Sequence, residues 1–209
     1  LCLPAIVLVY YYKKNPEAGL KGSIHALILS MVLVAIILYG IIPGTVKVAS
    51  WFELFFVNSL ELPFNSGLIF YLILLLSSFG WSIYEARKQS SLFRIKLSFI
   101  LVIGMLGIPF YVYGSSGLLI GLTLLAIFAF YLYSSKIKPR YQLSIRTIHT
   151  SLLCLLMIMV GFSSYGVILI RSAANTPMDQ NSPEDIFTLG DYLNRKQYGQ
   201  RPLFYGQAY

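Results

Sequence analysis

The sequence predicts an all-α fold: a polytopic transmembrane helical bundle with an interfacial helix in one outer loop and a short tail on the same outer face. Three observations predict it. Of 209 residues, 57% are hydrophobic and only 11% are charged, under half the roughly 25% charge of a soluble domain, and the mean hydropathy is +0.71. The apolar residues gather into runs of membrane-crossing length. The links between those runs alternate in charge. Together these exclude an ordinary soluble globule, a disordered chain and a nucleic-acid binder built on a charged face.

A bilayer core of ~30 Å needs about 20 helical residues at ~1.5 Å rise each. The first run, 1–12 (LCLPAIVLVYYY), is too short and is expected to be the last turns of a truncated span. No initiating Met or leader pattern precedes it, so further chain is expected on both sides of the sequence. Five full spans follow, at 24–42, 67–84, 97–113, 117–133 and 148–170. Only GSS separates the spans at 97–113 and 117–133, which predicts a tight antiparallel hairpin. Residues 1–170 thus form the transmembrane part, with 43–66 as an outer interfacial loop and 171–209 as the start of an outer C-terminal region. Cys2 and Cys154 sit in apolar runs and read as small core residues.

Charge orients the spans. The links 13–23, 85–96 and 134–147 hold eleven basic and two acidic residues; 43–66, 114–116 and 171–209 hold five basic and six acidic ones. The first set is +9 and the second −1, which accounts for the formal net charge of +8. Basic residues stay on the cytoplasmic side. Links 13–23, 85–96 and 134–147 are therefore expected to be cytoplasmic, and 43–66 and the tail to face outward. The basic clusters are juxtamembrane, so their expected partner is anionic lipid and not nucleic acid.

In the outer loop, 49–60 predicts a short helix at the interface, with Trp51, Phe52, Phe55 and Phe56 in the headgroup boundary. Glu53 and Asn58 are expected to stay wet or to line a cavity, because a carboxylate near lipid needs water or a partner. Pro63 and Asn65-Ser66-Gly67 end that helix. In the tail, Ser182-Pro183-Glu184-Asp185 reads as a helix opening, with Ser182 as the cap. Ile186, Leu189 and Leu193 form one apolar face, and the helix is expected to stop near Tyr198-Gly199.

No phosphate loop, HExxH or CxxC motif occurs. His25 and His149 begin helices and read as interfacial residues, and the sixteen tyrosines as an interfacial belt. Arg171 is the distinctive charge. It follows the last apolar residue on the outer face, where a guanidinium can snorkel or can grip a lipid phosphate with two parallel hydrogen bonds. Asn175, Asp179, Asn181, Asn58 and Trp51 are candidates to contact a headgroup or a sugar, and Glu53 and Asp179 are the candidate outer carboxylates. Asp179 is also a candidate divalent-cation ligand, although one Asp alone makes a poor site. No metal site is expected.

Two stretches, WFELFFVNSLELPFNSG at 51–67 and SSYGVILIRSAANTPMDQNSPEDIFTLGDYLNRKQYGQRPLFYGQ at 163–207, resemble a Bacteroidota family of large membrane proteins. That family is grouped with eukaryotic O-mannosyltransferases as glycosyltransferase family 117. Arg171, Ser172, Ala173, Asn175, Pro177, Met178, Asp179 and Asn181 meet its most specific pattern, and the run 192–199 adds to it. Glu61 departs from it, standing where a small residue is expected before Leu62-Pro63. The resemblance implies a GT-C fold and transfer of a sugar, mannose, from a polyprenyl-phosphate carrier to Ser or Thr of exported proteins. It implies a bacterial inner membrane with 43–66 and 171–209 in the periplasm, the polyprenyl-phosphate sugar as donor substrate, and a divalent cation as the one candidate cofactor. It also implies that the main catalytic acid lies in a first outer loop ahead of this sequence, so that this chain lacks it. Two other readings stand beside the transferase. One is a transporter or flippase for a lipid-linked or hydrophobic solute, to which Gly104, Gly107 and Pro109 would lend a kink. The other is a noncatalytic membrane scaffold.

Overall fold

A computed structural model of the chain describes residues 2–110, 115–134, 142–174, 177, 182–194 and 199. All regular structure among these residues is helical. The chain divides into two compact units, Leu1–Ile42 and Pro43–Tyr209.

In the first unit, α1 (Cys2–Lys14) and α2 (Gly19–Ala35) pack on each other across a 3-10 turn, Pro16–Ala18. Lys13 and Lys14 close α1 where cations suit the negative helix end. Gly19, at φ +60°, ends the turn and donates its N–H to the Pro16 carbonyl; a left-handed residue here favours glycine. Beyond α2 the backbone widens into a π-helical segment, Ile36–Ile41, where the Ile42 N–H reaches back five residues to the Ile37 carbonyl. Pro43 follows directly. It has no N–H and would crowd the carbonyl four residues earlier, and a π segment is one way a helix absorbs that insult.

The second unit contains α3 (Ile42–Leu60) from its second residue on, α4 (Ser66–Lys88), α5 (Leu92–Met105), α6 (Ser115–Tyr133), α7 (Ile145–Phe162), a 3-10 turn (Ser163–Tyr165), α8 (Gly166–Ala173) and α9 (Ile186–Leu193). The outward faces are apolar and the contacts mix small, polar and apolar residues: on α4, Ile69, Ile73, Leu76 and Tyr84 are exposed, whereas Ser78, Ser82 and Glu85 are buried beside Tyr71, Leu75 and Phe79. Ser98 of α5 donates to the Ser82 hydroxyl at 3.1 Å inside the α4–α5 contact. Small and polar residues at helix contacts, with apolar ones outside, are the pattern of helices packed in lipid.

Specific bonds fix the hairpin of α5 and α6. Lys96 Nζ donates to the Leu132 carbonyl at 2.6 Å, capping the end of α6. Tyr133 donates to the Phe93 carbonyl at 2.8 Å. Tyr71 of α4 donates to Met105 at 2.9 Å, satisfying a carbonyl that the end of α5 leaves open. Glycines bring backbones together at a second place. A Cβ on Gly44 would stand 2.7 Å from the Gly107 carbonyl oxygen, and Gly107 itself has φ +71°.

Four helical runs among the described residues are long and apolar enough to cross a bilayer: Gly19–Leu60, Ser66–Lys88, Ser116–Tyr133 and Ile145–Ala173. They are the helices of a multi-pass integral membrane protein. Several elements differ from the expectation. The outer-loop helix starts at Ile42 and not near residue 49, because Gly44 and Thr45 are buried helical positions. The helix expected at 97–113 runs over Leu92–Met105 instead. Arg94 and Lys96 continue it beyond the apolar run, and the left-handed Gly107 with Pro109 closes it early. At ~21 Å, its 14 residues fall short of a ~30 Å crossing. The tail helix is capped by Asp185, not Ser182. Asp185 Oδ1 accepts the Thr188 N–H at 2.7 Å, and Thr188 Oγ1 accepts the Asp185 N–H at 3.0 Å. This reciprocal capping box outcompetes Ser182, which sits at φ +40°. The helix ends at Leu193, short of Tyr198-Gly199. Cys154 is exposed on α7 and not packed in the core.

Candidate functional site

The second unit encloses a cleft of about 410 Å³, within the ~300–1,000 Å³ typical of small-molecule sites. One wall is α3, through Thr45, Val46 and Ala49, and α4, through Leu68, Tyr71, Leu72 and Leu75. The other wall is α7, through Leu156, Met159 and Val160, followed by Tyr165, Gly166, Leu169, Ile186 and Leu189 of the turn, α8 and α9. The lining is almost wholly apolar. The Tyr71 hydroxyl is spent on the Met105 carbonyl and the Ser163 hydroxyl on the Val160 carbonyl. The cleft therefore suits a hydrocarbon and offers little to a free sugar.

Sequence explains why these walls meet. On α3, residues 45, 46 and 49 recur at helical spacing and share a face. Gly190 of α9 allows that helix to approach α3, since a Cβ there would lie 3.2 Å from Val46 Cγ1. Asp185 and Thr188 hold α9 in register with their box, which delivers Ile186 and Leu189 to the cleft at 5% and 4% exposure.

Arg171 stands in the last turn of α8, two residues beyond the cleft-lining Leu169. Its side chain is exposed, and it makes no hydrogen bond or ion pair among the described residues. A guanidinium has five donors in a rigid fork. Here that fork is exposed in the last turn of α8, on the opposite side of that helix from Leu169, since residues two apart do not share a face. Ser172 beside it is buried at 2% exposure.

Glu53 has a different setting. It is only 2% exposed. Its Oε1 accepts the Asn65 N–H at 2.5 Å and its Oε2 accepts the Leu68 N–H at 2.8 Å. It thus closes the amino end of α4, where backbone donors lack helical partners and the dipole favours an anion. Gly67 makes this possible, since a Cβ there would fall 2.6 Å from both the Glu53 Cα and the Phe52 carbonyl oxygen. The carboxylate expected to stay wet is dry and doubly bonded, and it anchors one helix to another.

Trp51 and Asn58 lie away from the cleft. Trp51 packs edge-on against Phe110 at 5.2 Å between ring centroids, on the side of α3 that faces α5 and α6. Asn58 is exposed near the end of α3. Asn175, Asp179 and Asn181 lie outside the described residues. Among the described residues, no group of three or more His, Cys, Asp or Glu side chains could hold a metal ion.

Two residues gained roles that sequence reasoning missed. Glu85, counted as a loop acid, is buried near the end of α4; it accepts from Trp81 Nε1 at 3.1 Å and stands 3.6 Å from Arg94 Nε. The signal was its spacing of four from Trp81 on one helix face. Lys47, counted only as an outer charge, donates to the Phe110 carbonyl at 3.2 Å and lies 5.5 Å from the centroid of the Trp51 ring.

Compared with known proteins, the chain matches no protein-family model, and no curated protein or solved structure matches it significantly. The class therefore rests on the helices themselves: this is an all-α, multi-pass integral membrane protein.

Proposed function

We propose that this chain is part of a GT-C-type glycosyltransferase of a bacterial inner membrane. It transfers a sugar, mannose, from a polyprenyl-phosphate carrier to Ser or Thr hydroxyls of exported proteins. One observation carries the reading. Across the apolar cleft, Thr45, Val46 and Ala49, which lie in the outer loop just ahead of the resembling stretch 51–67, meet Tyr165, Gly166, Leu169, Ile186 and Leu189 of the resembling stretch 163–207.

In this reading the prenyl chain lies in the cleft and Arg171 holds its phosphate. Asn175, Asp179 and Asn181 follow Arg171 closely enough in sequence to contact the headgroup or the sugar. The acceptor oxygen bonds to the anomeric carbon as the bond from that carbon to the phosphate oxygen breaks. The phosphate leaves on the carrier, and a carboxylate takes the hydroxyl proton. Glu53 serves to position α4 and not as that base, which by the resemblance belongs to an earlier outer loop. A transporter of a lipid-linked solute is the second reading, favoured by the π-helical segment Ile36–Ile41 and the break after Met105.

The test is sugar transfer by the full-length protein in nanodiscs, from mannosyl polyprenyl phosphate to a Ser/Thr peptide. Replacing a bidentate phosphate contact costs roughly 1.5–3 kcal/mol. Arg171→Ala should therefore raise the KM for the carrier by at least tenfold. Carrier movement across the bilayer without transfer would select the transporter. Neither activity from the wild-type protein would overturn both readings.

A further inference from the structure

A second cavity lies on the other side of α3. It is an open groove of about 520 Å³ between α3, α5 and α6, separate from the cleft assigned to the carrier. Leu97, Ile100 and Leu101 of α5 and Leu118, Leu122 and Leu125 of α6 form its apolar floor. Gly104 lines the groove too; a Cβ there would make ordinary contact with Leu125 at 3.6 Å, so a bulky side chain would take up the space.

Val48, Trp51 and Phe110 also line the groove. Lys47 stands over it, bonded to the Phe110 carbonyl and stacked on the Trp51 ring. Trp51 and Phe110 pack ring against ring, and the Lys47 ammonium is held by the Phe110 backbone carbonyl and the Trp51 face. From Leu97 to Met105 the α5 wall rises about 12 Å, eight steps of ~1.5 Å. That is close to half of a ~30 Å hydrocarbon core, the depth of one leaflet. A tryptophan with a cation at the rim and a leaflet-deep leucine floor below it matches the polarity of a single phospholipid.

We infer that this groove binds an anionic phospholipid, with one acyl chain along α5 and α6 and its phosphate at Lys47. The site is independent of the transferase reading. A zwitterionic lipid fills the apolar floor equally well. Only the charge at the rim separates the two, and it favours the lipid with net negative charge.

Tryptophan quenching tests this directly, because the sequence has two tryptophans, Trp51 and Trp81. In a Trp81→Phe background, lipids brominated on the acyl chain report on Trp51 alone. Brominated phosphatidylglycerol should quench at about fivefold lower lipid fraction than brominated phosphatidylcholine, the worth of one lysine near a membrane surface. Lys47→Gln should bring the two lipids together without removing quenching. Gly104→Phe should remove quenching by both. Equal quenching by the two lipids in the parent protein overturns the proposal, and that arm needs no further substitution. A preference that survives Lys47→Gln, or quenching unchanged in Gly104→Phe, overturns it as well.

Discussion

Glu53→Ala should release the amino end of α4. The substitution removes the acceptor for two backbone donors, Asn65 N–H and Leu68 N–H, and withdraws a negative charge from the positive end of a 23-residue helix. A donor stranded by such a change costs about 1–3 kcal/mol. Asn65 is exposed, so water recovers part of its bond, whereas Leu68 is half-buried and recovers less. The loss of charge–dipole attraction adds about 0.3–1 kcal/mol. The sum is about 3 kcal/mol, or roughly a hundredfold in a local opening equilibrium at 1.4 kcal/mol per tenfold. Glu53→Gln keeps one acceptor oxygen and should cost about half. Hydrogen–deuterium exchange of the peptide spanning 62–72, in nanodiscs, reads this opening locally. The expected order is Ala fastest, Gln intermediate and wild type slowest, with Asn58→Ala unchanged because Asn58 is exposed and distant from the clamp. Exchange in Glu53→Ala no faster than in Asn58→Ala would refute the anchoring role.

Other substitutions probe the remaining contacts. Gly44→Ala drives a Cβ to within 2.8 Å of the Leu106 and Gly107 carbonyl oxygens, which are backbone and cannot step aside. It should cost about 2–3 kcal/mol, seen as a lower midpoint for loss of the monodisperse peak on heating in detergent. Gly80→Ala is the matched control: nothing lies near its Cβ, and it should gain roughly 0.5–1 kcal/mol through helix propensity alone. Tyr71→Phe strands the Met105 carbonyl and should lower the same midpoint by about 1–2 kcal/mol in stability. A Tyr71→Phe protein as stable as wild type would show that the bond to Met105 contributes nothing.

Sequence reasoning read what depends on hydropathy and missed what depends on packing. The helices at Ser66–Lys88, Ser115–Tyr133 and Ile145–Phe162 lie where the apolar runs stand, because in lipid the backbone must satisfy itself locally. The helix ends are another matter. α4 runs on through Glu85 because Trp81 and Arg94 receive that carboxylate, a pairing hydropathy does not see. α5 is displaced toward Leu92 because hydropathy marks where lipid is, whereas Gly107 and Pro109 decide where the helix stops. In the tail, both Ser182 and Asp185 can cap a helix, and the partner three positions on, Thr188, selected Asp185. The site was visible only as pieces. Arg171 stood out because it was a lone cation after an apolar run. The alignment of Val46 with Gly190, which builds the cleft, joins residues far apart in sequence and has no local signature.

The central claim is that the cleft between α3, α4 and α7–α9 holds a prenyl chain whose phosphate lies at Arg171. Photolabelling tests it most directly, using the full-length protein in nanodiscs and a polyprenyl phosphate that carries a diazirine on its isoprenoid chain. Adducts mapped by mass spectrometry should fall on Leu156, Met159, Leu169 and Val46, should be competed by unlabelled polyprenyl phosphate, and should weaken in Arg171→Ala. Adducts confined to α6 or to the α3–α5–α6 groove, or labelling that unlabelled carrier does not compete, would contradict it.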